Sequence, residues 1–444
     1  MSRRGVFNLA CLVLFIPAIF SGCAANPSSI QPQINSLSAA GKFKYASKIL
    51  DGAPAAYGPQ NRLLYLLDYG LISHYAGEYG KSIRLFEEAK KAYNDLYTVS
   101  VTNQASTWLI NDYLAPYRGE DFERVMVNIF QALNFALSGN IEEALVEARN
   151  ADNTLKLINQ QYKTDEKNIF REDAFARLLL GIIYEKEGSS GGINDAHISY
   201  KKALAVYEND YQANYFVKTP LVLKENILAT AQWMGKEEED FYRSKFPEIK
   251  FQALKERQVK AEVYLICYSG LSPLKHPEEV PIPLPDGFIA KLAFPRYDPR
   301  LITPLEEKFE AENTSRQVFE TEAELVEDIG AIAQLNLRNR RARVLAKAML
   351  RPAGKYFLEK QGYENIKEEH GENTARAFKY VSNLFNIASE QPDLRSWQTL
   401  PAQVYLARLI LDPGEYTVTF AGKKLAQTPL AAGEKRIIVL RFAE

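Results

Sequence analysis

Cysteine is scarce in this chain. Among 444 residues there are three, Cys11, Cys23 and Cys267, beside three tryptophans, four methionines and four histidines. So few cysteines exclude a disulfide-stapled scaffold and a cysteine-built zinc site. The histidines, His74, His197, His276 and His370, stand far apart, none at metal-ligand spacing from a cysteine or a second histidine. The zinc-protease HExxH string, the Walker phosphate loop and the dinucleotide GxGxxG string are also missing. No catalytic residue, metal or cofactor is therefore expected. Charge of one sign is lacking too: 54 Lys and Arg against 55 Asp and Glu leave a net charge of -1. Without a basic bias, nucleic acid is not an expected partner.

Long apolar runs are limited to one that matters. It spans Val6 to Phe20, after Arg3 and Arg4, and is followed by Ser21-Gly22-Cys23. A charged start, a short apolar core and small residues before a cut site describe a secretory signal peptide over residues 1–22. The run is shorter than the about 20 apolar residues a membrane span needs. A cysteine directly after the small residues resembles the lipobox of bacterial lipoproteins, with Phe20 where Leu is usual. That resemblance implies cleavage before Cys23 and a lipid on it. Ala24 follows rather than the Asp that resembles an inner-membrane retention signal, so the outer membrane, facing the periplasm, is the expected location. Residues 23–33, polar with two prolines, read as a tether. With Cys11 removed and Cys23 acylated, Cys267 is left alone in the apolar run Ala261–Tyr268 and reads as a buried thiol.

The remaining length suits more than one domain. Residues 34–250 are helical in pattern and repeat. Gly70, Ser82, Phe86 and Ala89 fall at spacings that recur as Ala132, Ala144, Ala148 and Ala151, and again, with a turn about three residues longer, as Gly181 with Tyr184, then Ala196, Tyr200 and Ala203. Inter-helix turns are read at Ala76–Tyr79, Ser138–Asn140 and Gly188–Gly192. Gly41 to Leu50 resembles part of an earlier unit. The spacing resembles the tetratricopeptide repeat, a helix-turn-helix of about 34 residues that stacks into a curved solenoid.

From residue 257 the pattern changes. Ala261–Tyr268, Phe288–Phe294, Val404–Leu411, Glu415–Phe420 and Lys435–Phe442 are rich in β-branched and aromatic residues and read as strands. Proline-rich Pro273 to Pro285 reads as an extended loop. A helical block is read at about 324–388. The expected fold is α+β: a tetratricopeptide-like α-solenoid, then an α+β domain at 257–444 with a helical insertion between strands.

Two groups of residues invite function. Asp121 reads as a helix N-cap. On the helix it opens, Asn128, Gln131 and Asn134 recur every three residues among apolar neighbours. They are candidates for a partner-binding groove, with Glu147 and Arg149 beside them. A basic run, Arg338, Arg340, Arg341, Arg343, Lys347, Arg351 and Lys355, follows Leu335. Within it Arg340, Arg343, Lys347 and Arg351 would form one stripe. It would either face solvent, paired with nearby acids, or meet an anionic lipid surface or acidic partner. Pro352 marks a kink or a new helix start.

Several strings together resemble a group of uncharacterised Gram-negative lipoproteins with tetratricopeptide-like helices. They are Arg118–Arg124 with Ala144–Arg149, Tyr268–Pro273, Ile282–Pro285, Phe294–Tyr297, Glu327–Ile329, and Asp393–Trp397 with Leu400-Pro401. The resemblance implies an envelope lipoprotein acting near lipoprotein activators of cell-wall synthases, and no established activity. The expectation is a membrane-anchored scaffold that binds an envelope protein. The alternative is an envelope hydrolase whose active site is scattered through the fold.

Overall fold

A computed structural model describes residues 30–98, 115–161, 170, 172–298 and 304–442. The signal segment and Cys23 lie outside the described residues. The end of the expected tether, Gln31 to Gln33, already belongs to helix α1 (Gln31–Ala39), where Ile34 is buried.

Helix α2 (Phe43–Asp51) packs on the first of three antiparallel helix pairs. These are α3 (Arg62–Tyr75) with α4 (Tyr79–Thr98), α5 (Asp121–Leu137) with α6 (Ile141–Gln161), and α7 (Ala174–Glu187) with α8 (Ser190–Val206). The pairing is written in their small residues. A Cβ on Gly70 would stand 2.6 Å from the Phe86 ring, and one on Gly181 would stand 2.2 Å from the Tyr200 ring. Only a bare backbone lets those aromatic rings seat. The third turn is tighter than expected: α8 starts at Ser190, so Gly191 and Gly192 are helical. Asp121 is the first helical residue of α5 and not its cap; Glu120 precedes it, and its backbone N–H donates to Glu123 Oε2 at 2.9 Å. Helices α9 (Leu221–Met234) and α10 (Lys236–Lys245) continue the stack.

Among the described residues the C-terminal part has ten strands: β1 (Ala261–Leu271), β2 (Lys275–Pro283), β3 (Ile289–Tyr297), β4 (Lys308–Asn313), β5 (Val318–Glu322), β6 (Glu324–Asp328), β7 (Pro401–Leu411), β8 (Gly414–Phe420), β9 (Lys423–Leu430) and β10 (Lys435–Arg441). One sheet has the order β10-β1-β7-β6, with β10 parallel to β1; a second has the order β5-β4-β8-β9. The expected loop at Pro273–Pro285 is instead β2, an edge strand paired only with β3. Proline is tolerated there because one edge needs no donor. The helical block also begins later than expected, since Glu324–Asp328 is β6. It comprises α11 (Ile329–Asn339), α12 (Arg341–His370) and α13 (Glu372–Ser389).

Strand β1 explains how the two parts join. Val263, Leu265 and Cys267 point into a core between the two four-stranded sheets. Tyr264, Ile266 and Tyr268 point the other way, into the core of the helix pairs. Alternation by two residues puts a buried layer on each face, so the strand is one apolar run. Cys267 is fully buried, and burial pushes its thiol up to about 12.

Candidate functional site

The first helices of the pairs carry the contacts to the C-terminal part. An extended segment between α13 and β7, residues 390–400, runs over α3 and α5. Thr399 Oγ1 donates to Asp68 Oδ1 in α3 at 2.8 Å, and the Trp397 N–H donates to Glu123 Oε1 in α5 at 2.8 Å. Arg395 donates to Asn61 Oδ1 and to the Ala115 carbonyl, both at 3.0 Å. The side of the helix pairs expected to be open to a partner is therefore occupied by the chain itself.

That occupancy corrects the groove assignment. Asn128, Gln131 and Asn134 are 3%, 0% and 0% exposed. Each is bonded to a neighbouring helix. Asn128 Nδ2 donates to Thr154 Oγ1 in α6 at 2.8 Å, and Gln131 Nε2 donates to Glu87 Oε1 in α4 at 2.8 Å. Asn134 Nδ2 donates to Ser82 Oγ at 2.8 Å, while its Oδ1 meets His74 Nδ1 at 2.7 Å. Burial pushes His74 down to about 4, so it is neutral, and its Nε2 meets the Tyr268 hydroxyl. Glu147 pairs with Lys90 of α4, and Arg149 donates to the Tyr184 hydroxyl of the next pair. Gln131, Asn134, Glu147 and Arg149 thus join successive helix pairs, while Asn128 ties the two helices of its own pair.

The basic stripe is also broken. The helix is interrupted at Arg340, and that side chain turns to the Glu120 carboxylate. Pro352 lies inside α12, so the break falls at Arg340 and not at the proline. The side chains of Arg343, Lys347 and Arg351 lie outside the described residues.

Arg338 and Arg341, from the same run, reach a cleft of about 360 Å³ between β3, α11, the start of α12 and the loop after α8. Its floor is apolar, with Phe294, Leu335 and Val344 among the lining residues. The Arg341 guanidinium lies 5.6 Å from the centre of the Phe294 ring. Arg296 pairs with Asp298 at 3.0 Å, and Arg341 is 3.9 Å from Glu278. Arg338 has no ion-pair partner among the described residues. Phe216 forms one wall, 84% exposed and with φ of 59°. Its conformation comes from the helix end: Val217 N–H reaches back to the Tyr211 carbonyl, a closure that ordinarily puts glycine at this position. A non-glycine residue held in the left-handed region costs about 1–3 kcal/mol. The sequence run contained Arg338 and Arg341, but nothing in the sequence signals the backbone of Phe216.

One cluster has the outline of a catalytic set. His197 lies 2.9 Å from both Thr230 Oγ1 and Glu238 Oε1. The set has the outline of a hydroxyl, a base and a carboxylate. Thr230 is fully buried and donates to the Asn226 carbonyl, so no substrate reaches its hydroxyl. Gly188-Ser189-Ser190-Gly191-Gly192 spells Gly-x-Ser-x-Gly, a match that sequence reasoning passed over. A nucleophile elbow needs a strand-to-helix turn. Here the string joins two helices, and Ser190 is exposed in the first turn of α8. No group of three metal-ligating side chains occurs among the described residues, and no described helix is long and apolar enough to cross a membrane.

Two buried acids, Glu327 and Asp173, are held above the usual carboxylate range. Glu327 in β6 is fully buried; its Oε1 accepts from the Tyr211 hydroxyl at 3.1 Å, and its Oε2 has no hydrogen-bond partner among the described residues. Burial, then the nearby Asp173, hold Glu327 well above the usual carboxylate range, and Asp173 itself is raised to about 7, chiefly by burial. A raised carboxyl favours folding below its unfolded pKa, and that advantage is lost as pH rises through the folded value. Glu327→Gln should therefore raise the melting temperature near pH 8, by the equivalent of about 1–3 kcal/mol, with little change near pH 5. Thermal melts of both proteins across that range test it; an equal shift at both pH values would contradict the assignment.

No protein-family model and no curated protein matches the chain, so the resemblance to envelope lipoproteins rests on its sequence strings. Solved structures with similar helix pairs include a kinesin light chain of Podosopora anserina with nearly identical TPR-like repeats. That likeness has 12% identity and a TM-score of 0.33, over 50% of this chain and 96% of the other. Another is BtubC (BKLC) from P. vanneervenii, with 15% identity and a TM-score of 0.35, over 55% of this chain and 89% of the other. The present chain is a mixed α+β protein whose helices pack in successive pairs.

Proposed function

We propose that the protein is a non-catalytic scaffold, lipid-anchored through Cys23 to the outer membrane and facing the periplasm. It holds an acidic segment of an envelope protein in the Phe216 cleft. Lipoprotein activators of cell-wall synthases are the partner class the sequence resemblance implies. The observation that carries the reading is Arg338, without an ion-pair partner among the described residues, beside Arg341 and the exposed, left-handed Phe216, in a cleft also lined by Phe294, Leu335 and Val344. Aromatic and arginine side chains supply most binding energy where proteins meet. Guanidinium groups favour carboxylates through paired hydrogen bonds.

The test places a photo-crosslinking side chain at position 216 in the native envelope. A discrete protein adduct is expected. Arg338→Glu with Arg341→Glu should weaken its formation about tenfold or more, equivalent to about 1.4 kcal/mol. The melting temperature should hold, because Arg338 and Arg341 are exposed. An adduct equally strong in the charge-reversed protein, or none in either, would overturn the reading.

A further inference from the structure

Helices α12 and α13 form an antiparallel hairpin joined at Gly371 and packed on β3. The side against the β2–β3 hairpin is mixed: the Phe288 ring meets Tyr356 and Tyr363 at 5.7 and 6.2 Å between centres, beside a set of polar contacts. Lys355 and Glu390 form a buried ion pair at 2.9 Å. Asn383 accepts from the Ile289 N–H at 3.0 Å and donates to the Gly287 carbonyl at 3.2 Å. The Tyr356 hydroxyl donates to Asp286 at 2.6 Å.

The open side is apolar. On α12, Met349, Leu350 and Phe357 are 53%, 56% and 69% exposed; on α13, Tyr380, Leu384 and Ile387 are 72%, 69% and 37% exposed. Their spacings place them on one stripe of each helix. A surface helix normally turns such a stripe inward, and a contiguous exposed patch of this kind marks a contact surface.

Charge selects the contact. The first two-thirds of α12 carries Arg341, Arg343, Lys347, Arg351, Lys355 and Lys360 against the single acid Glu359. Lys355 is neutralised by Glu390, and Arg341 lies 3.9 Å from Glu278; Arg343, Lys347, Arg351 and Lys360 against Glu359 still leave a basic surplus along the segment that bears Met349, Leu350 and Phe357. The acids Glu364, Glu368, Glu369 and Glu372 lie instead toward the hairpin tip. Apolar side chains and positive charge together fit an anionic lipid surface, where buried apolar area and attraction to the headgroups add.

We infer that the root of the α12–α13 hairpin lies on an anionic membrane surface, with Phe357, Tyr380 and Leu384 entering the boundary between headgroups and acyl chains. The inference does not depend on the Phe216 cleft. It is distinct from the tether at Cys23, since it requires the hairpin itself to touch lipid.

The test is therefore one of depth rather than attachment. A Leu384→Cys protein, full length and acylated, is labelled there with an environment-sensitive dye; Cys267 is buried and does not compete. A second protein carries the dye on Glu415→Cys, in β8, as a reference. Vesicles containing phosphatidylglycerol should shift the dye at 384 to the blue and protect it several-fold from an aqueous quencher. They should leave the reference dye unchanged. Vesicles of phosphatidylcholine alone should give much less protection, and Phe357→Asp should abolish it at an unchanged melting temperature. A dye at 384 that stays equally quenched with either vesicle overturns the inference. So does protection that appears without vesicles and grows with protein concentration, which would mean a second copy covers the patch.

Discussion

Replacing Trp397 with alanine should cost about 3–5 kcal/mol, a large share of the total stability of an ordinary domain. Trp397 is fully buried in the helical core, although it lies in the extended segment before β7. Its ring meets Phe86 of α4 and Phe130 of α5 edge-on, at 5.9 and 6.2 Å between centres. Its Nε1 donates to Thr399 Oγ1 at 2.9 Å, and that hydroxyl donates onward to Asp68 in α3. Alanine removes the ring and leaves the chain from Thr399 to Asp68 poorly held. The first two helix pairs and the segment leading into β7 are joined at this point, so they should loosen together. Helical circular dichroism and near-ultraviolet signals should fall at one lowered temperature. Trp397→Phe should lose less, since a ring still fills the space while only the N–H is gone. If Trp397→Ala melted like the native protein, the segment would be a passive covering and the two parts separate bodies.

Much of the helical architecture was legible because its contacts are local. Gly70 and Phe86 meet within one pair, and Ser82 Oγ donates to the Gly70 carbonyl at 2.7 Å. Spacing within some twenty residues encodes such contacts directly. Strands β1 and β7 were legible for another reason: buried on both faces, they are continuous apolar runs. Strand β4, Lys308–Asn313, alternates charged residues with apolar ones, and β5, Val318–Glu322, is a five-residue edge strand with two glutamates. Stretches so short and so charged were not separable from a loop.

The groove residues were misplaced because satisfaction is not local. Asn134 finds Ser82 and His74, from another helix pair, and Gln131 finds Glu87. A polar residue every third position looks the same whether its partner is solvent, a ligand or a neighbouring helix. What covers α3 and α5 is a segment more than 250 residues away in sequence, with bonds such as Thr399 to Asp68. The Phe216 cleft was half legible. Its arginines stand out as a run, but the left-handed turn that presents Phe216 follows from how the helix at Tyr207–Tyr211 closes.

The second large effect is expected at Glu262, inside β1. Glu262 is buried with Arg257, Arg408 and Glu185. Arg408 is 3.3 Å from Glu262, and Arg257 is 3.8 Å away. Lys435 of β10 contacts Glu262 and reaches Glu185 of α7 at 2.9 Å, while Arg408 also contacts Glu225 of α9. Three carboxylates thus face three cations, drawn from both parts of the protein. Burial by itself would raise Glu262; Lys435, Arg257 and Arg408 hold it down to about 2. A depressed carboxyl stabilises above its ordinary pKa, and the contribution is lost only as pH falls toward the folded value. At neutral pH, Glu262→Ala strands three cations around two carboxylates and should cost about 3–5 kcal/mol. Removing one cation as well restores the balance. Glu262→Ala with Lys435→Met should therefore be more stable than Glu262→Ala alone, a coupling that denaturant melts of the single and double variants would resolve. Additive losses would mean that water screens the cluster, and that the sheet and the third helix pair are held by apolar packing alone.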